Sequence, residues 1–123
     1  MTPHETVAAY ASAWAEPDHA RRLAILEACW ASDGVYLDPS SRANGRGALC
    51  AHIAGFRQRL VGHRIDVAGG IDEHDGYLRF AWTMSSPDGT QVMEGVDFGQ
   101  LDADGRLKLI CGFFGPWPQL GRS

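Results

Sequence analysis

The chain has 123 residues, 45% of them hydrophobic and 21% charged, with a formal net charge of −4. This composition excludes a disordered chain, and the length predicts one domain, residues 1–123, because no linker, repeat or low-complexity segment interrupts it. Lys108 is the only lysine and no basic run is present, so neither nucleic acid nor an anionic membrane is an expected partner.

The N-terminal segment predicts a capped helix. Thr2 and Glu5 have the spacing of a capping box, with Pro3 at the first helical position. Helical spacing then gives one apolar stripe, and Pro17 ends the helix. The stripe consists of Val7, Tyr10, Ala11 and Trp14.

Two more helices are predicted, with a short strand between them. Asp18 can cap the second helix, whose apolar face we assign to Leu23, Leu26 and Trp30. Residues 32–34 (Ser-Asp-Gly) end that helix, 35–37 form the strand, and a loop with Asn44-Gly45 leads to the third helix. The third apolar stripe contains Leu49, Ile53, Phe56 and Leu60.

After Gly62 the apolar pattern changes to a period of two. Three Asp-Gly pairs divide this region, and Asp-Gly between alternating runs is a strong hairpin signal. We therefore predict antiparallel strands at about 63–72, 77–86, 90–101 and 106–115. Three N-terminal helices packed on an antiparallel sheet make an α+β fold.

Several glycines fall inside the predicted strands, where they favour bulges or bends. We interpret them as a sign of a strongly curved sheet that forms a cone with an internal cavity. The alternative is that they only ease the packing of the helices. These glycines are Gly69, Gly70, Gly95, Gly99 and Gly112.

Three residues are candidates for acid–base chemistry. Asp97 lies in the apolar strand segment Gly95–Gly99, where burial would keep its carboxyl group protonated unless the residue faces solvent. Asp38 precedes Pro39, which holds it extended, so it is either a base at the cavity mouth or a turn residue. Tyr10 is either a core aromatic residue or a hydroxyl donor.

Other chemistries have little support in the sequence. The five histidines lack metal-ligand spacing, and no nucleophile motif or nucleotide-binding loop is present, so we expect neither a metal nor a cofactor. Arg64 and Asp66 share one strand face, as a surface pair or as an ion pair that orients a water molecule. Three cysteines without CxxC spacing, together with an N-terminus that lacks a basic region, predict reduced core thiols in a cytoplasmic protein.

The order of elements resembles the SnoaL-like branch of the nuclear transport factor 2-like superfamily, from about Thr6 to Trp117. The resemblance implies a cone-shaped, cystatin-like fold. Functions within this superfamily range from isomerases, cyclases and epoxide hydrolases to plain binding proteins. The resemblance is based on the segments WASDGVYLDP (30–39), LRFAW (78–82), GVDF (95–98), DGRL (104–107) and GFFGP (112–116).

Within the superfamily, the placement of Tyr10, Asp38 and Asp97 is similar to that of three residues of ketosteroid isomerase. The resemblance implies that Asp38 moves a proton next to a carbonyl group, while Tyr10 and protonated Asp97 stabilise the enolate. The expected ligand is a small apolar carbonyl compound that is isomerised or cyclised. The expected cavity wall comprises Trp14, Phe56, Trp82, Ile110, Gly112 and Phe114.

Two alternatives stay open at this stage. One is a non-catalytic module for ligand binding or dimerisation. The other is epoxide hydrolysis, which would require Arg64, Asp66 and Asp97 to meet in the cavity. A homodimer through the outer sheet face is also expected, since helices can cover only one of two partly apolar faces.

Overall fold

Three helices pack against a curved six-stranded sheet in the computed structural model, which describes residues 1–121. The strand order is β2-β1-β6-β5-β4-β3, and all neighbours are antiparallel except β1 and β6. The predicted α+β architecture is confirmed. The helices are α1 (Pro3–Ala15), α2 (His19–Cys29) and α3 (Arg46–Arg59); the strands are β1 (Trp30–Asp38), β2 (Ser41–Asn44), β3 (Arg64–His74), β4 (Tyr77–Ser85), β5 (Gln91–Leu101) and β6 (Leu107–Phe114).

The predicted caps and turns are present. The Glu5 N–H donates to Thr2 Oγ1 at 3.1 Å, and the Thr2 N–H donates to Glu5 Oε1 at 2.8 Å, which completes the capping box of α1. Asp18 Oδ2 accepts a hydrogen bond from the Arg21 N–H at 2.9 Å and caps α2. The Asp-Gly turns form the meander from β3 to β6, and Gly76 has a φ of +82°, a conformation that favours glycine.

Two predictions about the first strand are wrong. Trp30 is not on the face of α2: that helix ends at Cys29, and Trp30 is extended (φ −121°, ψ 129°) as the first residue of β1. The segment 41–44, predicted as a loop, is strand β2 and pairs with β1. A buried strand start and a helix stripe are both apolar, so periodicity alone misplaces Trp30. Ser-Arg-Ala-Asn carries almost no strand signal.

Two glycines explain how the sheet bends over the helices. The pairing of β3 with β4 shifts register between Ala68 and Ile71, and Gly69 lies in this bulge with a φ of +80°. A Cβ atom at Gly95 would collide with the Trp82 ring and the Phe113 carbonyl oxygen. Gly95 therefore lets the Trp82 side chain lie flat against β5.

The inner face of the sheet and the helices share one hydrophobic core, in which Leu26, Trp30 and Ile53 are completely buried. The three cysteines are unpaired; Cys29 and Cys50 are buried, whereas Cys111 is only half-buried and corrects the prediction of three core thiols. None of the helices in residues 1–121 has the length and apolar character needed to span a membrane.

Candidate functional site

A cavity of about 230 Å³ lies between α1, α3 and the inner face of the sheet. Apolar side chains form most of its wall. Its polar groups are Asp38, Asp97, Tyr10, Tyr36 and His52, with Ser40, Ser41 and Arg59 also in the wall. The apolar lining residues include Trp14, Phe56, Ile65, Val67, Phe80, Trp82, Met84 and Phe114.

The end of β1 and the turn after it hold the Asp38 carboxylate. The Tyr36 hydroxyl donates to Asp38 Oδ2 at 2.6 Å. Asp38 Oδ1 accepts from the Ser40 N–H at 2.9 Å and from the Ser40 hydroxyl at 3.0 Å. Because side chains two residues apart on a strand share a face, Tyr36 and Asp38 both point into the cavity.

These contacts determine the protonation of Asp38. Burial alone would raise the pKa of Asp38, but the hydrogen bonds from Tyr36 and Ser40, with a smaller effect of His52, outweigh it and lower the pKa. Asp38 is therefore a carboxylate at neutral pH. A carboxylate has about four lone-pair sites, so three accepted hydrogen bonds leave it able to accept a proton.

Asp97 lies at the centre of β5 and is 8% exposed. Its Oδ1 accepts a hydrogen bond from Trp82 Nε1 at 3.1 Å. Burial raises the pKa of Asp97 to about 7, against the effect of the Trp82 bond, and the charge of Asp38 contributes to the increase. Close to neutral pH, Asp97 is therefore divided between its acid and carboxylate forms.

Gly112 makes room for both acids. It pairs with Asp97 across the β5–β6 ladder. A Cβ atom there would lie 2.8 Å from Asp97 Oδ1 and 3.5 Å from Asp38 Cβ. The absence of a side chain at Gly112 thus lets the two carboxyl groups line the same cavity.

Tyr10 enters the cavity from α1. Its ring stacks on Trp30 with a centroid distance of 5.6 Å, and it is 3% exposed. Burial raises the pKa of Tyr10 well above its ordinary value, and the charges of Asp97 and Tyr36 add to the effect. Tyr10 therefore keeps its proton at neutral pH and can act as a hydrogen-bond donor.

Two cavity residues, Tyr36 and His52, were not among the predicted site residues. The His52 ring centroid lies 5.0 Å from that of Tyr36 and 5.7 Å from that of Trp14. Burial lowers the pKa of His52, and Arg59 lowers it further against the opposing effect of Asp38. Both residues had a detectable signal: Tyr36 is two residues before Asp38 on a strand, and His52 is four residues before Phe56 on a helix.

One expected wall residue needs correction, and the interpretation of Arg64 and Asp66 as a surface pair is confirmed. Ile110, expected in the cavity wall, is completely buried in the core and is not among the residues that line the cavity. Arg64 and Asp66 form an exposed ion pair at 2.8 Å. They alternate along β3 with Ile65 and Val67, which line the cavity, so the pair lies on the other face. The arrangement that epoxide hydrolysis would require is therefore not formed.

The donor side chains of the cavity do not form a metal site. Within residues 1–121, no group of three or more His, Cys, Asp or Glu side chains is arranged to hold a metal ion.

Comparisons with known proteins identify the family. Residues 7–110 match the model of the SnoaL-like domain. The crystal structure of a proposed isomerase of the SnoaL-like family from Agrobacterium tumefaciens is 35% identical, with a TM-score of 0.88, over 94% of this chain and 100% of that one.

More distant structures share the fold. A nuclear transport factor 2-like protein of unknown function from Exiguobacterium is 16% identical, with a TM-score of 0.72, over 91% of this chain and 99% of that one. A proposed polyketide cyclase from Sinorhizobium meliloti is 16% identical, with a TM-score of 0.69, over 88% and 93% of the two chains. A search of curated proteins finds no match. The family model and the Agrobacterium structure together show that the chain belongs to the SnoaL-like domain family.

Proposed function

We propose that this protein is a cofactor-independent acid–base enzyme that isomerises or cyclises an apolar carbonyl compound through an enolate. The supporting observation is that Asp38 and Asp97, whose pKa values are displaced in opposite directions, line one largely apolar cavity. The coarse assignment agrees with the relatives described as a proposed isomerase and a proposed polyketide cyclase.

In the proposed mechanism, Asp38 removes a proton from the carbon next to the carbonyl group. The electron pair of that C–H bond forms a carbon–carbon double bond, and the π pair of the carbonyl group moves onto its oxygen, which gives the enolate. In an isomerisation, Asp38 then returns the proton to another carbon atom. In a cyclisation, the enolate carbon attacks a second carbonyl group of the same substrate, and Asp38 returns the proton to the alkoxide oxygen that this attack forms, so nothing is consumed. A positioned proton transfer of this kind contributes about 10²–10⁴-fold to the rate.

Two donors stabilise the enolate oxygen. Tyr10 and protonated Asp97 each provide an O–H group inside a cavity whose wall is mostly apolar. A preorganised donor in such an environment contributes about 3–4 kcal/mol to transition-state stabilisation. Trp82 fixes the Asp97 carboxyl through the bond to Oδ1, which leaves the other oxygen to face the substrate.

A non-catalytic ligand-binding module is the second candidate. The observation that favours it is the engagement of both Asp38 oxygens by Tyr36 and Ser40. In this candidate, the role of the Asp38 carboxylate is to fix the turn after β1, without any part in proton transfer. The two candidates differ in whether bound ketones exchange protons.

Exchange of α-protons with deuterated water tests the enzyme. A panel of small cyclic β,γ-unsaturated ketones is incubated with and without protein, and deuterium incorporation and double-bond migration are followed by NMR. We expect the protein to accelerate both, with a rate that declines above about pH 7 as Asp97 loses its proton. Ketones that bind without any exchange would leave the binding module as the function.

We also propose that the outer face of the sheet forms a homodimer. This face exposes Tyr77, Val96, Phe98 and Phe113, each between 39% and 59% accessible. Val96 and Phe113 are directly paired, and the rings of Tyr77 and Phe98 stack at 6.2 Å. A contiguous apolar patch of this kind is typical of an interface.

Sedimentation equilibrium tests this assembly. The wild-type chain is expected to sediment as a dimer at micromolar concentration, and Phe113→Asp to weaken self-association by at least about tenfold, since it buries a charge. Val61→Asp is the matched control, because Val61 is exposed in the turn after α3. A monomeric wild type, or equal association of the two variants, would contradict the proposal.

A further inference from the structure

Basic side chains concentrate where α3 ends and β3 begins. Three of the eleven lysine and arginine residues, Arg57, Arg59 and Arg64, occur within eight positions of a chain whose net charge is −4. His63 lies among them. In the part of the chain that the structure describes, Arg57 and Arg59 form no ion pair, and Arg64 pairs only with exposed Asp66.

A second cavity, of about 260 Å³, opens at this cluster. Arg57, His63 and Arg64 line it, and among residues 1–121 no acidic side chain does. It adjoins the main cavity, because Trp14, Leu60 and Ile65 are in the walls of both. The basic cluster therefore lies at the boundary between the two cavities, with Arg59 in the wall of the main one.

The main cavity has a basic end of its own. Arg59 lines it together with His52 and Phe56. His52 and Arg59 are seven residues apart on α3, which is close to two turns and places them on one helix face roughly 10 Å apart. His52 lies beside Tyr36 and Asp38, so the acid–base groups occupy one end of the helix face and Arg59 the other.

Stabilisation of α3 does not account for this arrangement. Arg57 and Arg59 lie in its last turn, where a cation interacts favourably with the helix dipole. The dipole requires no particular side-chain direction, yet Arg59 is directed toward the main cavity and Arg57 toward the second. The Arg57 guanidinium is also held in place, because its Nη1 donates to the Trp14 carbonyl oxygen at 3.1 Å.

We propose that this basic cluster binds an anionic group of the substrate, such as a carboxylate or phosphate, while the apolar body of the substrate fills the main cavity. The proposal rests on the proposed function and narrows its substrate class to apolar carbonyl compounds that also carry an anionic group. Guanidinium groups suit this task because they form paired, charge-assisted hydrogen bonds with such anions.

Calorimetric titration with two probes of equal shape tests the proposal. Naphthylacetate has an apolar body and a carboxylate, and naphthylacetamide is its neutral counterpart. We expect the wild-type protein to bind naphthylacetate about tenfold or more tightly than the amide, a preference that decreases as salt is added. Equal binding of the two probes, including binding of neither, overturns the proposal.

Variants of single arginine residues show which side chains cause the preference for naphthylacetate. At least one of the two variants, Arg59→Gln in the main cavity or Arg57→Gln in the second, is expected to remove most of the preference for naphthylacetate, and both are expected to leave the affinity for naphthylacetamide unchanged. Arg21→Gln is the matched control, since it removes the same charge from an exposed position on α2. A preference that survives in both Arg57 and Arg59 variants, or is lost equally in the control, also overturns the proposal.

The binding measurement is independent of catalysis. If naphthylacetate binds as expected and no ketone exchanges its protons, the anion site is supported and the proposed enzyme is not. If neutral ketones exchange and the two probes bind equally, the enzyme is supported and the anion site is not.

Discussion

Replacement of Asp38 by asparagine is expected to lower the rate of α-proton exchange by about 10²–10⁴-fold, the contribution of a positioned base. Asparagine has nearly the same shape: its oxygen can accept the hydrogen bond from the Ser40 N–H, and its NH2 group can donate to the Tyr36 hydroxyl oxygen, which reverses the direction of that bond. Its amide cannot take a proton at neutral pH. The fold and the binding of ketones are therefore expected to persist, and deuterium incorporation measured by NMR is expected to be almost lost.

Asp66→Asn is the matched control for this substitution. Asp66 lies on the outer face of β3 and pairs with Arg64, so its replacement is expected to leave the exchange rate unchanged. Exchange that is unaffected by Asp38→Asn would show that another residue is the base. His52 would then be the next candidate, because it lines the same cavity and its lowered pKa keeps it neutral, and His52→Gln would test it.

Local chemistry in the sequence was enough to predict most of the fold. Thr2 and Glu5 defined the start of α1 because a capping box is made by residues three positions apart. The Asp-Gly pairs located the hairpins because a tight turn with positive φ requires glycine, as at Gly89 and Gly105. β2 escaped prediction because its pairing with β1 depends on a neighbouring strand and not on its own composition.

The contacts within the candidate site were less accessible to sequence reasoning. The bond between Trp82 and Asp97 joins residues fifteen positions apart, and it exists because β4 and β5 pair Trp82 with Gly95, diagonal to Asp97. Period-two alternation could not give that register. Tyr36 could have been predicted as a site residue, because alternation along a single strand places it on the same face as Asp38.

Asp97→Asn is expected to stabilise the folded protein at about pH 8 and to have little effect at about pH 4. The pKa of Asp97 is raised from 3.8 to about 7 by burial, so the folded state holds this proton more tightly than the unfolded state. As the pH rises between these two values, Asp97 ionises in the unfolded state but keeps its proton in the folded state, so the free energy of unfolding falls. A displacement of this size corresponds to up to about 4 kcal/mol in the free energy of unfolding.

Asparagine does not titrate, so the free energy of unfolding of the variant does not decrease with pH for this reason. Its side-chain oxygen can still accept the hydrogen bond from Trp82 Nε1 that Asp97 Oδ1 accepts. Urea unfolding of wild type and variant across this pH range measures the difference, with Asp33→Asn as control for the loss of one exposed carboxylate. If the free energies of unfolding of the wild type and of Asp97→Asn change in parallel with pH, the raised pKa of Asp97 is contradicted. If the variant becomes more stable than the wild type as the pH rises, the buried Asp97 carboxyl group lowers the stability of the protein. Such a cost is expected of a group that is retained for its function.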